Sequence, residues 1–334
     1  MNIPKTMLAI VLREFETSMT LSELAVPTAA ARQVVVCVEA SGVNPLDIKI
    51  IEGKAGHAQF KLPGVPGIDL AGVVVAIGTG VTEFKPGDRV YGMTGGIGDL
   101  QGSLAEYAAV DADLLAIMPK NLSMREAAAL PLIFITAWEG LVDRAHLGAG
   151  HKVLIHGGAG GVGHIAVQIA RAFGADVYAT GSAEQKAAIE GFGATAIDYK
   201  ANTVDQYVAQ YTDGIGFDVI YDTVGGATLD ASFSAARKYH GHVVSCLGWG
   251  EHKLAPLSFR AATYSGVFTL LPMLTGNGRA HHGEILREAT KLVDSGKIRV
   301  QLDPTHYTLE SVTAAHQSLI TGTAKGKIVI DIAK

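Results

Sequence analysis

The sequence predicts an α/β protein in which a doubly wound parallel sheet is joined to a β-rich N-terminal region. Three observations carry this. From Val153 onward, short β-branched runs alternate with segments of helical apolar spacing, the pattern of successive βαβ units. Residues 1–120 instead hold short strand-like runs at close intervals, which suggests a compact antiparallel barrel. At 334 residues, 48% hydrophobic and only 18% charged, the chain can fill two cores.

In the N-terminal region the strand-like runs are Met7–Leu12, Val34–Ala40, Leu70–Ile77, Arg89–Met93 and Ala105–Val110. Pro27, Gly42, Asn44-Pro45, Pro63–Gly67, Gly78–Gly80 and Pro86-Gly87 separate them. Ser123 followed by Glu126 is the signature of a capping box opening a helix, and a second helix is expected over Thr136–Arg144. The sheet pattern then runs through strands at Val153–His156, Asp176–Ala179, Ala196–Ile197, Val219–Asp222, His242–Cys246 and Gly266–Leu271. Helices are expected at Ile165–Phe173, Glu184–Phe192, Asp205–Tyr211, Thr228–Ala236, Gly283–Ser295 and Leu309–Ile320. A closing strand, Lys327–Ile332, is expected to return to the N-terminal domain.

The stretch Lys152–Thr180 gives the first chemical signal. A buried strand breaks into Gly157-Gly158-Ala159-Gly160-Gly161-Val162-Gly163 and continues as a helix. Gly158, Gly160 and Gly163 fit G-x-G-x-x-G in the context where that spacing has a mechanism. The first is expected to permit the tight turn, the second to admit a pyrophosphate to the backbone, and the third to let helix and strand approach. The anion then rests on the helix N-terminus, with Gly161 and Val162 beside it. An NAD site usually ends its second strand in a carboxylate that binds the ribose; here the strand ends Thr180-Gly181-Ser182, and Asp176 lies at the opposite end. Ser182 and Lys186 offer a hydroxyl and a cation to a 2′-phosphate, which favours NADPH.

A net charge of −5 without a basic patch argues against nucleic acid as a partner, and no apolar run approaches a membrane span. The N-terminus lacks a secretory signature. Two cysteines, Cys37 and Cys246, sit in strand-like runs, so buried thiols in a reducing compartment are expected, with a cytoplasmic location.

Motifs spread along nearly the whole chain resemble one family. They are Gly42-Val43-Asn44-Pro45-Leu46-Asp47, Pro66-Gly67-Ile68-Asp69-Leu70-Ala71-Gly72, Lys85-Pro86-Gly87-Asp88-Arg89-Val90, Gly102-Ser103-Leu104-Ala105-Glu106-Tyr107, His156–Gly163, Asp222-Thr223-Val224-Gly225-Gly226 and Gly326-Lys327-Ile328-Val329-Ile330. In this order they resemble the medium-chain dehydrogenases/reductases, and within them the zinc-free quinone oxidoreductase (zeta-crystallin-like) branch. The resemblance implies a GroES-like β-barrel catalytic domain, residues 1–122 and 273–334, and a Rossmann domain, residues 123–272, with the active site in the cleft between them. It implies a homodimer formed through a Rossmann edge strand at Val267–Leu271.

Zinc relatives carry a Cys at the position of Asn44 and a His-Glu pair at Ile68-Asp69, and a lobe of four cysteines, so no metal is expected. Without a Lewis acid, the acceptor must delocalise its own charge, as a quinone or α,β-unsaturated carbonyl does. The resemblance assigns Asn44 and Asp47 to the substrate side, with turn formation and helix capping as their plainer alternatives. It places Thr136 against the nicotinamide and Tyr199 near the adenosine phosphate. Gly225, Leu247 and Gly248 follow Rossmann strands at their carboxyl ends, where ligands collect. The loop Glu52–Phe60 lacks the proton-donating tyrosine of enoyl-thioester reductases; His57 offers a titratable group there, with a solvated loop histidine as its plainer alternative. Phe60, Trp249 and Phe268–Met273 suit an aromatic acceptor, or a core. The alternatives are a non-catalytic NADPH-binding protein, serving as redox sensor or structural protein, and an enoyl-thioester reductase.

Overall fold

Alternating burial along the first 120 residues produces strands β1 (Thr6–Val11), β2 (Thr20–Ala25), β3 (Gln33–Gly42), β4 (Asp69–Ile77), β5 (Arg89–Met93), β6 (Tyr107–Asp111) and β7 (Leu115–Ile117). Helix α1 (Pro45–Ile51) follows β3, and α2 (Met124–Ala128) follows β7. The computed structural model describes residues 3–332. After α3 (Pro131–Trp138) and a π-helical turn at Glu139–Arg144 come β8 (Lys152–Ile155), α4 (Gly161–Ala172), β9 (Asp176–Gly181), α5 (Lys186–Gly191), β10 (Thr195–Asp198) and α6 (Val204–Thr212). Then follow β11 (Val219–Asp222), α7 (Ala227–Ala235), β12 (His242–Ser245), α8 (Ala255–Ser258) and β13 (Thr263–Gly266). The chain closes with α9 (Leu271–Thr275), α10 (Arg279–Asp294), β14 (Tyr307–Thr308), α11 (Val312–Ile320) and β15 (Val329–Asp331).

Two units result, Met1–Leu132 with Thr269–Lys334, and Ile133–Phe268. In the first, β3 is the hub. It pairs antiparallel with β4 along its length, with β6 over Gln33–Cys37, and with β15 over Ala40–Gly42. The returning C-terminal strand thus covers the part of β3 that β6 leaves open. Val36, Val38, Leu70, Val74, Val90, Val110 and Leu115 fill this core with Ile328 and Ile330. In the second unit the six strands are ordered β10-β9-β8-β11-β12-β13, and every pairing is parallel. Leu154, Ile220, Val243, Phe217 and Phe233 form a core beneath it.

The Ser123 box forms as expected: the hydroxyl accepts from the Glu126 amide, and the Glu126 carboxylate returns to the Ser123 amide at 2.8 Å. Three expectations need correction. Residues 123–132 belong to the first unit, because α2 packs on β3 and β4 and the Leu132 amide donates to Asp69 at 3.0 Å. At the other border, Arg279 ties the carbonyls of Pro272 and Met273 to Asp111, and the division falls after Phe268. Val267–Leu271 is not a strand: pairing ends with the Val267 amide on Ser245, the chain turns, and α9 starts at Leu271 with Pro272 in its first turn. The outer strand on that side is β13. Strands β2 and β7 had no expectation; β2 exposes Leu21 and alternates it with Thr, Ser and Glu.

Candidate active site

In the second unit the glycine turn joins β8 to α4. The residue with the left-handed backbone is Gly157, at φ 71°, so the tight turn depends on it and not on Gly158. Gly158 is required for a different reason: a β-carbon there would stand 2.5 Å from that of Ala179 on β9. A β-carbon on Gly163 would stand 2.1 Å from the Gly157 carbonyl oxygen, so α4 and the turn can approach only with glycine. Gly160 is the N-cap, exposed and without a capping side chain, and Gly161 and Val162 form the first turn of the twelve-residue α4. Their amides lack intrahelical acceptors and face outward, a cradle suited to a pyrophosphate.

The turn is held from β9 and β11. The Thr180 hydroxyl accepts from the Gly157 amide at 3.2 Å and contacts His156 Nδ1 at 3.1 Å, while its carbonyl accepts from the Gly158 amide. Burial lowers the His156 pKa to about 4, so the ring is neutral beside the cradle. The Thr223 hydroxyl donates to the His156 carbonyl at 2.7 Å. Asp222, fully buried at the end of β11, accepts from the amides of Val224 and Gly225 and from the Ser245 hydroxyl at the end of β12. This sets the Gly225 turn, φ 80°, against Leu247, whose own amide donates to Ser245. Gly248 is as tightly placed, since a β-carbon there would meet the Tyr264 hydroxyl at 2.1 Å. Asp222 and Ser245 are bracing residues for this strand edge, legible only through the Asp222–Gly226 motif. Thr136 is buried in α3, where its carbonyl accepts from the Tyr221 hydroxyl at 2.6 Å. Trp249 and Phe268 meet edge to face, with centroids 6.1 Å apart.

At the far end of β9, the Tyr199 amide donates to the Gly181 carbonyl at 3.3 Å, which brings the tyrosine beside Ser182. Lys186 is exposed and pairs with Glu190 at 3.8 Å. Two neighbours were not anticipated. The Glu184 carboxyl bonds to the Ser182 side chain, which holds it below its usual range with help from the charge of Lys200. Lys200 in turn lies 6.0 Å from the centre of the Tyr199 ring. The corner therefore does contain a carboxylate, two residues beyond the strand end where one was sought.

In the first unit, the Asn44–Asp47 segment forms a closed polar network. Asn44 is fully buried; its Nδ2 donates to Asp69 at 2.9 Å, and its Oδ1 accepts from the Lys327 ammonium, which also donates to the Val43 carbonyl at 2.8 Å. Asp47 caps α1 by accepting from the Asn44 amide at 2.8 Å, and its Oδ1 is buried without a partner. Desolvation raises both Asp47 and Asp69 to about 7, against the opposing pull of Lys327. The Asn44 side chain is buried and bonds to Asp69 and Lys327. Lys327 was legible only as part of the Gly326–Ile330 motif. His57 lies on an exposed turn, its pKa lowered by partial burial and by Lys49.

Comparison with known families matches residues 30–120 to the alcohol dehydrogenase GroES-like domain and residues 192–330 to the zinc-binding dehydrogenase domain. The chain is 35% identical to the NADPH-dependent alkenal/one oxidoreductase, chloroplastic, of Arabidopsis thaliana, over 98% of this chain and 80% of that one. The protein belongs to the medium-chain dehydrogenases/reductases, in the quinone oxidoreductase-like branch. It is also 30% identical to the quinone oxidoreductase of Pongo abelii, over 92% of each chain. A solved alcohol dehydrogenase superfamily protein from Novosphingobium aromaticivorans superposes with a TM-score of 0.95 at 52% identity, covering 98% of this chain and all of that one. Members of this superfamily bind a nicotinamide cofactor, and the glycine cradle before α4 fits its pyrophosphate. The zinc-binding description does not carry over to the donor set. Position 44 is a buried asparagine committed to Asp69 and Lys327, position 68 is an isoleucine, and the described residues contain no cluster of three or more His, Cys, Asp or Glu able to hold a metal.

Proposed function

We propose that this protein reduces quinones or α,β-unsaturated carbonyls with NADPH and without a metal ion. The observation that carries the reading is the α4 N-terminus, uncapped by a side chain and set behind a turn in which Gly158 and Gly163 leave no room for a β-carbon. When bound, the cofactor supplies a hydride from nicotinamide C4 to the electron-poor carbon, and a proton completes the two-electron reduction. The chain binds and orients: the cradle takes the pyrophosphate, and the Asp222–Ser245 brace fixes the loops of Gly225, Leu247 and Gly248. Thr136 is the nicotinamide-side candidate, and Asn44 and Asp47, within the first unit, are the substrate-side candidates, acting as positioning residues. A conjugated acceptor suits this inventory because its developing negative charge spreads over its own π system, which lowers the demand for a Lewis acid.

Ser182, Lys186, Tyr199 and Lys200 are the candidates to hold a 2′-phosphate, which favours NADPH over NADH, with Glu184 opposing them. A homodimer through β13 and a cytoplasmic location in keeping with its two free cysteines complete the proposal. The test is oxidation of NADPH and NADH against an ortho-quinone, a para-quinone, an α,β-unsaturated ketone and a saturated ketone, each with and without chelator. Turnover of the conjugated acceptors alone, unaffected by chelator, is expected. Turnover of the saturated ketone, or its loss on chelation, overturns the reading.

A further inference from the structure

The opposite end of the parallel sheet holds a second polar pocket. It has a volume of about 450 Å³ and is lined by His151, Asp218, Arg237, His240 and His242, together with small residues at Ala145, Ala149 and Gly150. These side chains gather where β8, β11 and β12 begin, whereas the glycine cradle lies where β8 ends. The length of β8 puts about 10 Å between the two.

The donors and acceptors in this pocket are unequal. Asp218 is its one carboxylate, and both oxygens are spent: Oδ2 on the Lys152 amide at 2.9 Å, Oδ1 on Arg237 Nη1 at 2.6 Å. The Arg237 side chain is 43% exposed, and among the described residues its one hydrogen bond is from Nη1 to Asp218, so Nη2 and Nε are unclaimed there. His151 Nδ1 accepts from the Gly148 amide at 3.3 Å, which leaves its proton on Nε2 as a donor. His242 uses Nε2 on Ser265 at 2.8 Å, so its Nδ1 remains. His240 is exposed and makes no side-chain hydrogen bond among the described residues. What is left over is the Nη2 and Nε side of one guanidinium, whose charge the ionised Asp218 partly offsets, and three imidazoles; the acceptor atoms of the one carboxylate are already engaged. Such a set matches a carboxylate or phosphate group.

We propose that this pocket is a second, cofactor-independent binding site for a small polyanion carrying carboxylate or phosphate groups. Its volume exceeds that of inorganic phosphate, so a tricarboxylate-sized guest is the better fit. The source of the charge is decided by titrating citrate and inorganic phosphate separately into the full-length protein, first without and then with saturating NADPH, which fills the cradle before α4.

Citrate is expected to bind at one site per chain, and more tightly than phosphate. Arg237→Gln is expected to weaken it at least about tenfold, because Gln keeps one donor but loses the fork and the charge. His240→Ala, at an exposed position whose loss leaves the fold intact, is expected to weaken it about threefold. Tighter binding of phosphate would reassign the guest to a phosphate ester in the same pocket. Absence of binding by both anions overturns the proposal. So does binding that neither variant changes, or binding that NADPH abolishes, since the anion would then sit in the cofactor cradle. Should Arg237→Gln fail to fold, His240→Ala decides alone.

Discussion

Asp47 shows how one atom can couple this fold to pH. Its Oδ2 is used at the α1 cap, but Oδ1 is buried with no partner, and the nearest cation, Lys327, is shared with Asp69. Burial lifts the Asp47 pKa to about 7, above the roughly 3.9 of an unfolded chain. A folded state that holds its proton more tightly gains stability where the group is protonated. This contribution is complete below about pH 4 and is lost as pH rises through about 7. The buried rings of His156 and His316, lowered to about 4, work in the other direction, so total stability does not isolate the effect. The variant does. Asp47→Asn keeps an oxygen for the Asn44 amide and removes the charge, so its melting temperature should exceed that of the parent by about 3–5 °C at pH 8. The gap should narrow as pH falls through 7 and close only below about pH 4. An unchanged gap across that range would place the titration elsewhere.

At the same scale, Glu184 opposes the residues expected to hold a 2′-phosphate. Glu184→Gln removes an exposed negative charge bonded to Ser182 while leaving a group that still accepts from the hydroxyl. The ratio of kcat/KM for NADPH to that for NADH should rise roughly two- to fivefold, the range of an exposed charge contact, and the gain should shrink at high salt. A falling ratio would mean that Glu184 orients Ser182 or Lys200 toward the cofactor.

At the scale of elements, the α4 turn makes the sharpest demand on sequence. Gly163→Ala puts a β-carbon 2.1 Å from the Gly157 carbonyl, a backbone atom that no rotamer change can move. The turn must shift by the better part of an ångström, and NADPH affinity should fall at least about tenfold, as misplacement of this size does at binding sites. Near-native far-UV circular dichroism alongside the lost affinity would separate this from unfolding. Local elements were legible because their signals are local: the Ser123–Glu126 box, the glycine spacing and the β-branched runs of β8, β11 and β12. Val267–Leu271 misled because an apolar, partly β-branched run resembles a strand whether its burial comes from pairing or from packing. Only the turn at Thr269–Leu270 and Pro272 distinguish the two. The Asn44 network was illegible for the opposite reason. Its cation lies 283 residues away and arrives when β15 closes on β3, so no window of sequence contains both partners.

At the scale of the whole molecule, β13 is the outer strand of the second unit's sheet, and among the described residues no strand pairs with its far side. Thr263, Tyr264 and Gly266 are exposed, and the four residues carry no proline or lysine to discourage another strand. Next to them Phe259 is 87% exposed, and Tyr239, whose amide donates to the Arg260 carbonyl, is 79% exposed. Two aromatics so displayed beside an unpaired edge are costly in water and favourable against a second copy, since a two-fold axis would set the same edge against itself. Light scattering coupled to size exclusion should therefore give twice the chain mass. Phe259→Asp, which places two like charges across such an axis, should shift the mass to that of one chain at micromolar concentration while leaving NADPH binding intact. The cradle before α4 draws on β8, β9 and β11 and not on β13, so cofactor binding and association should separate in this variant. A parent protein of single-chain mass would discard the edge as an interface, and a dimer that survives Phe259→Asp would move the interface to another face.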